Sequence, residues 1–358
     1  MPNVGPVSDE AAIFHASVPV VDLVVGTALF RPELLPRRTR GHVDLPRLVA
    51  GGVDVVGFTI ATRHPDRRGS LSTPHLWSLG VPTRSLRSDM AIANAIARRV
   101  ASWAETSGGR LRLLRDRGAW SRAGVKRAGD GVEPAGVDAF LGVQGGHVLE
   151  ADLSNVDRLH SLGVRMFSPA HVMDNDLVGS NTGVRGGGLT SFGREVVGEL
   201  ERAGIVVDLA HMSEAGIRGV LPILTRPFVV SHTGLRRLSG GTSRIPRRRF
   251  TPGNRNLSDS VARDVAQAGG VIGLTLSSRL LGGEDLDAIV RAVDAGLELA
   301  GPTGIALGSD LDGGLRAIVD IAGLPWVTER LLASGMDRPV VAGFLGGNAL
   351  RVLRDIAG

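Results

Sequence analysis

The chain has 358 residues, 43% of them hydrophobic, and no cysteine, which supplies material for one large core and excludes a disulfide framework or thiolate metal site. Forty-one basic residues against 36 acidic ones leave +5, nearly all of the cations being arginine, with Lys126 the single lysine. That balance does not indicate nucleic-acid binding. With no run of about 18 apolar residues and no basic-then-apolar N-terminus, the expectation is a soluble cytoplasmic protein without a membrane partner.

Short apolar runs bounded by Gly, Pro or polar turns predict strands near 19–26, 53–60, 138–145, 164–170, 204–211, 228–232, 270–276 and 304–310. Most are near-continuous in Val, Ile, Leu and Phe, as parallel strands covered on both faces require. Helical patterns alternate with them: RSDMAIANAIARRVASWAE, LTSFGREVVGELERAG, SEAGIRGVLPIL, LSDSVARDVAQAGG and EDLDAIVRAVDAGLELAG. Ser213 and Ser258 stand where N-caps are expected. This alternation predicts an α/β fold, a (β/α)8 TIM barrel in a single domain over 1–358, with a doubly wound open sheet as the alternative. Two segments read as irregular, 61–83 and the arginine-rich 236–256, and both would lie over the active face of a barrel.

The chemistry-bearing residues sit at strand ends. His211 closes GIVVDLAH, His232 closes FVVSH, and Asp310 and Asp312 end GIALGSDLDG. Imidazoles and a carboxylate at successive parallel strand ends suit metal ligation or acid/base work at one face of a barrel. Asp312, next to Gly313, reads as turn chemistry.

Lined up in this way, the chain resembles the membrane (renal) dipeptidase family of amidohydrolase-like zinc peptidases. The matching stretches run almost end to end: LPRLVAGGVDVVGF, LGVRMFSPAHVMDND, GLTSFGREVVGELERAGIVVDLAHMS, PFVVSHTG, RNLSD, AGGVIGL, GIALGSDLDG and GGNALRV. The resemblance implies a dipeptide-cleaving hydrolase with a water held between two zinc ions, and members that are often dimers. It places second-metal histidines on His211 and His232, a substrate-holding, carbonyl-polarising histidine on His171, a carboxylate-binding arginine on Arg255, and the acid/base aspartate on Asp310.

The same resemblance marks what this sequence lacks. The family's D-x-H-x-D in strand 1 reads Asp22-Leu-Val24-Val-Gly26, and its bridging glutamate reads Gln144. Val24 and Gly26 share a strand face and carry no donor, and a Gln amide oxygen is a weak neutral ligand. The expectation is zinc at zero or one per chain, held by His211, His232 and Asp310, with Gln144 as a weak additional ligand. Restoring the ligands through Val24→His, Gly26→Asp and Gln144→Glu is expected to raise zinc uptake toward two. His42 and Asp44 imitate an H-x-D motif ahead of strand 2, and His147 follows the third predicted strand closely enough to swing toward the site. The seven arginines of 236–256 read either as a solvated loop or as a grip on an anionic group, with Arg247, Arg248 and Arg249 at its centre.

Two functions follow. One is a divergent dipeptidase-like metallohydrolase cleaving a peptide or related amide bond of a small carboxylate-bearing substrate. The other is a non-hydrolytic homologue that binds a small anionic ligand or does metal-free lyase or isomerase chemistry.

Overall fold

A computed structural model describes residues 6–30, 33–63, 76–77, 79–125, 136–242 and 250–357. Its strands are β1 Val21–Val25, β2 Val55–Ala61, β3 Leu111–Leu113, β4 Val137–Gln144, β5 Val164–Ser168, β6 Val206–Val207, β7 Val229–Thr233, β8 Val271–Leu274 and β9 Ile305–Leu307. All pairings between them are parallel. One sheet runs β1-β2-β4-β5-β6 with β3 beside β4, and the other runs β7-β8-β9.

Isolated parallel bridges join the two sheets at both edges. Val25 bridges Leu311 just beyond β9, and Asp208 just beyond β6 bridges Val229. Each of the eight expected runs contains a strand. The missed one, β3, is only LRL, too short for a periodic signal. The 204–211 run keeps ladder geometry only at Val206–Val207. After these residues Asp208 turns its carboxylate on neighbouring backbone and His211 adopts a left-handed φ of 65°.

The helices pack outside the strands because their apolar residues fall on one face. Asp89–Thr106, for example, buries Ile92, Ala93, Ile96, Val100 and Trp103. Ser213 caps its helix by accepting from Gly216 N at 2.9 Å, whereas Ser258 makes no side-chain capping bond.

A second apolar cluster lies within the strands. Val21, Leu23, Val55, Phe140, Met166, Val206, Val229, Val271 and Ala306 meet Leu350, Val352, Leu353 and Ile356 of the helix Asn348–Ala357. Every strand except β3 contributes to it. With the N-terminal ends of the strands covered by this helix, the polar residues at their C-terminal ends are left to form the site.

Candidate active site

Three imidazoles converge above the strands. His171 and His211 have ring centroids 4.8 Å apart, and those of His211 and His232 are 4.9 Å apart. His171, His211, His232 and Arg255 are all buried, and Asp310 keeps some exposure. Nε2 of His211 lies 3.0 Å from Nε2 of His232. Arg255 Nη2 is 3.3 Å from His211 Nε2 and donates to His232 O at 2.9 Å, while its Nη1 is buried without a partner.

Behind His232 runs a polar chain that the sequence reading missed. Asp208 Oδ1 accepts from Ala210 N at 2.9 Å and Ser231 N at 2.7 Å, and its Oδ2 accepts from Ser231 Oγ at 2.7 Å. Ser231 Oγ is 2.8 Å from His232 Nδ1. With the hydroxyl proton given to the carboxylate, His232 Nδ1–H donates to Ser231 Oγ, which leaves Nε2 as a lone pair facing His211. The signal was available, because an aspartate inside VVDLAH is costly to bury without dedicated donors.

Asp22 repeats the arrangement at the other seam. It accepts from Ser309 N at 2.8 Å, Ser309 Oγ and Val24 N at 3.3 Å. Burial nevertheless pushes its carboxyl up to about 7, with the Ser309 hydrogen bonds opposing the shift. Burial also raises Asp208, against its bonds from Ser231.

Asp310 and His211 hold left-handed backbone at φ 57° and 65°, a conformation that His and Asp tolerate better than most and that is common at functional sites. Asp310 N is anchored to Val24 O at 3.1 Å. Desolvation raises its carboxyl to about 6, with Arg255 opposing the shift. Burial lowers Arg255 to about 10, with Asp310 and Asp208 opposing, and holds His232 well below its ordinary value, helped by the charges of Arg255 and His171.

The strand-1 side is closed. Val24 is buried and its backbone oxygen is engaged by Asp310, and a Cβ on Gly26 would meet Asp312 O at 2.6 Å and Gly313 Cα at 2.9 Å. Backbone of the loop after β9 therefore stands where a side chain at 26 would have to begin, so the triple substitution finds no room for the carboxylate on which the expected second zinc depends. Gln144 ends β4, buried, paired in the ladders with Ala61 and Ser168.

Asp312 is structural, as its turn sequence suggests: it accepts from His42 N at 2.8 Å and Thr27 Oγ1 at 3.2 Å. His42 Nδ1 is 3.2 Å from the same carboxylate, and Asp44 caps Leu45–Ala50, so both members of the H-x-D imitation serve the loop. His147 lines a neighbouring cavity, where burial lowers its pKa. In the arginine-rich loop, Arg236 pairs with Glu214 at 2.6 Å and Arg237 with Asp259 and Glu298 at 2.6 Å each. Arg247, Arg248 and Arg249 lie outside the described residues.

Among the described residues no three His, Asp or Glu side chains gather as a ready-made ligand set. The first-metal position does not fit a cation, since it offers a valine, a closed glycine and an amide. The second retains two imidazoles whose Nε2 atoms, 3.0 Å apart, approach the spacing of about 3.3 Å that two nitrogens take on one tetrahedral zinc. The donors thus suit one cation and not two, and Arg255 competes for one of the lone pairs.

The family model for membrane dipeptidase, peptidase family M19, matches residues 9–358. Among curated proteins, Dipeptidase aclJ of Aspergillus oryzae is 30% identical over 233 residues, covering 62% of this chain and 52% of that protein. Dipeptidase 3 of mouse and of human are 26% and 27% identical, each covering 88% of this chain and 64% of theirs. The chain therefore spans between half and two-thirds of the length of these relatives.

The fold matches that of dipeptidase AC, a metallopeptidase, at TM-score 0.77 and 23% identity, covering 96% of this chain and 99% of that one. A metallopeptidase from Rhodobacter sphaeroides, solved with a phosphinate mimic of L-Ala-D-Ala, matches at TM-score 0.76 and 24% identity, covering 95% and 99%. By the extent of the family match, this chain belongs to the membrane dipeptidase family, peptidase family M19.

Proposed function

We propose that the chain is a divergent dipeptidase-type hydrolase that cleaves a peptide or related amide bond of a small carboxylate-bearing substrate with at most one zinc per chain. We also infer that the two sheets close through their bridged seams into one (β/α)8 barrel spanning the chain, working in the cytoplasm. The observation that carries the functional reading is the buried convergence of His171, His211, His232 and Arg255.

Arg255 receives the substrate carboxylate, for which its buried Nη1 has an uncommitted donor. Asp310, its carboxyl raised to about 6, takes a proton from the attacking water and returns it to the leaving amine. His171 stabilises the oxyanion. A zinc held by His211, His232 and Asp310 would supply polarisation of the carbonyl and a more acidic water.

The closed strand-1 side and the guanidinium at His211 favour one competing reading, a non-hydrolytic protein that binds a small anion in the same pocket. Elemental analysis of protein purified without chelator is expected to give no more than one zinc per chain, falling to zero in His211→Ala and His232→Ala. Two occupied zinc sites would overturn the assignment. Failure of the wild type, with added zinc, to cleave any of a panel of L-L and L-D dipeptides would favour the anion binder.

A further inference from the structure

Beside the histidine cluster lies a cavity of about 560 Å³ that none of the residues discussed above explains except His147. Gly145 stands between His147, which lines the cavity, and His171 of the cluster: a Cβ on it would lie 3.1 Å from the His147 ring and 3.3 Å from His171 Cβ. The size is that of a small-molecule pocket.

Its charged groups divide into committed and uncommitted ones. Asp89 is taken by Arg63, which donates to it from Nε at 3.1 Å and Nη2 at 2.8 Å. Asp174 accepts from the backbone N–H groups of Ser180 at 2.8 Å, Arg185 at 2.7 Å and Gly186 at 3.3 Å, so it serves the loop that carries them. Of the carboxylates Glu150 and Asp176 remain, both exposed to the cavity and both within electrostatic reach of Arg63, while of the other cations Arg185 stands 3.9 Å from Asp174 and Arg87 donates to Arg84 O at 3.0 Å. Glu150 makes one long bond, accepting from Met90 N at 3.4 Å.

Glu150 and Ala151 are held at φ 50° and 58°, left-handed backbone that non-glycine residues adopt only at a cost. Among the described residues the wall carries three guanidinium groups and four carboxylates, and Leu86, Met173 and Phe192 supply apolar surface.

We propose that this cavity is a specificity subsite for an amine-bearing aliphatic group of the substrate, such as a lysine-like side chain, with Glu150 and Asp176 receiving the ammonium and the apolar residues its methylene stem. Its role as a substrate subsite rests on the hydrolase reading, but its ligand chemistry does not. Among the described lining residues the carboxylates outnumber the guanidinium groups by one, two carboxylates uncommitted to the fold can accept an ammonium's hydrogen bonds, and the apolar wall fits methylenes.

The test uses 1,5-diaminopentane, which carries two amines and no carboxylate, followed by ligand-observed NMR and calorimetry on the full chain. Saturable binding that weakens at least tenfold in Glu150→Gln and in Asp176→Asn, with 1,5-pentanediol inert, is the expected result. Both substitutions are at exposed positions, and retention of the wild-type melting temperature checks folding; should one fail to fold, the other still decides. Diamine binding unchanged in the folded variants, absent in the wild type, or matched by the diol would overturn the subsite. Should dipeptides be cleaved, a lysyl dipeptide is expected to show at least tenfold higher kcat/KM than a norleucyl one, lost in the same variants. If no dipeptide is cleaved while the diamine binds as described, the hydrolase reading falls and the amine site stands.

Discussion

A methyl group placed on Gly26 would lie 2.6 Å from a backbone oxygen, and no rotamer relieves a contact that begins at Cβ. Gly26→Asp is therefore expected to destabilise by about 1–3 kcal/mol, the usual cost of overpacking, measured by urea denaturation. The combined variant Val24→His, Gly26→Asp, Gln144→Glu is expected to hold no more zinc than the wild type in elemental analysis. Asp310→Asn keeps the shape of the side chain and removes its base. It is expected to lower kcat by about 10² to 10⁴, read on the best substrate of the dipeptide panel. The sequence already indicated that the strand-1 ligands were gone. It could not indicate that the vacancy is filled by the Asp312–Gly313 backbone, because that contact joins segments far apart in the chain. Asp208 and Asp22 were readable as acids in apolar runs, but their serine partners depend on which strands lie side by side.

At the level of elements, the two places where the ladders thin out share one device. At the β1/β9 seam Asp22 clasps Ser309, and at the β6/β7 seam Asp208 clasps Ser231; each carboxylate also takes the amide two residues ahead. Side-chain bonds thus do what ladder bonds do elsewhere. The Asp22 clasp has a pH signature. Its carboxyl is raised to about 7 from an ordinary 3.8, so the folded state favours the protonated acid. The stability it confers is complete below about pH 3.8 and is lost as pH rises through about 7. Asp22→Asn, which keeps an uncharged acceptor, is expected to remove that decline, so that the gap in urea midpoint between variant and wild type widens from pH 4 to pH 8. A gap independent of pH would mean that Asp22 is ionised throughout. Strand positions were legible because period and composition agree in buried parallel strands. β3 was not legible, since three residues beside the base of β4 carry too little pattern.

Across the whole molecule, the second apolar cluster draws on eight strands, on Trp120 of the helix Arg117–Arg122 and on the helix Asn348–Ala357. Leu353→Ala, at a site with no solvent exposure, is expected to cost about 2–5 kcal/mol, read as a lowered denaturation midpoint with an unchanged slope. Alternation of strand and helix made the α/β class readable from the sequence. That Asn348–Ala357 covers this cluster with its buried face, leaving Arg351, Arg354 and Asp355 exposed, was not, because its amphipathic pattern is equally that of a helix packed anywhere on the sheet.

This placement also bears on how the chain is made. Val21 and Leu23 emerge from the ribosome long before the side chains that cover them, Leu350 and Leu353. Until residue 357 has cleared the exit tunnel, the inner faces of all eight strands are without their final partner. Early segments must wait as partly packed intermediates, the stage at which exposed strand edges invite aggregation. A nascent chain stalled before residue 348 is expected to be cut by protease throughout its strands, and one stalled well beyond 357 to resist.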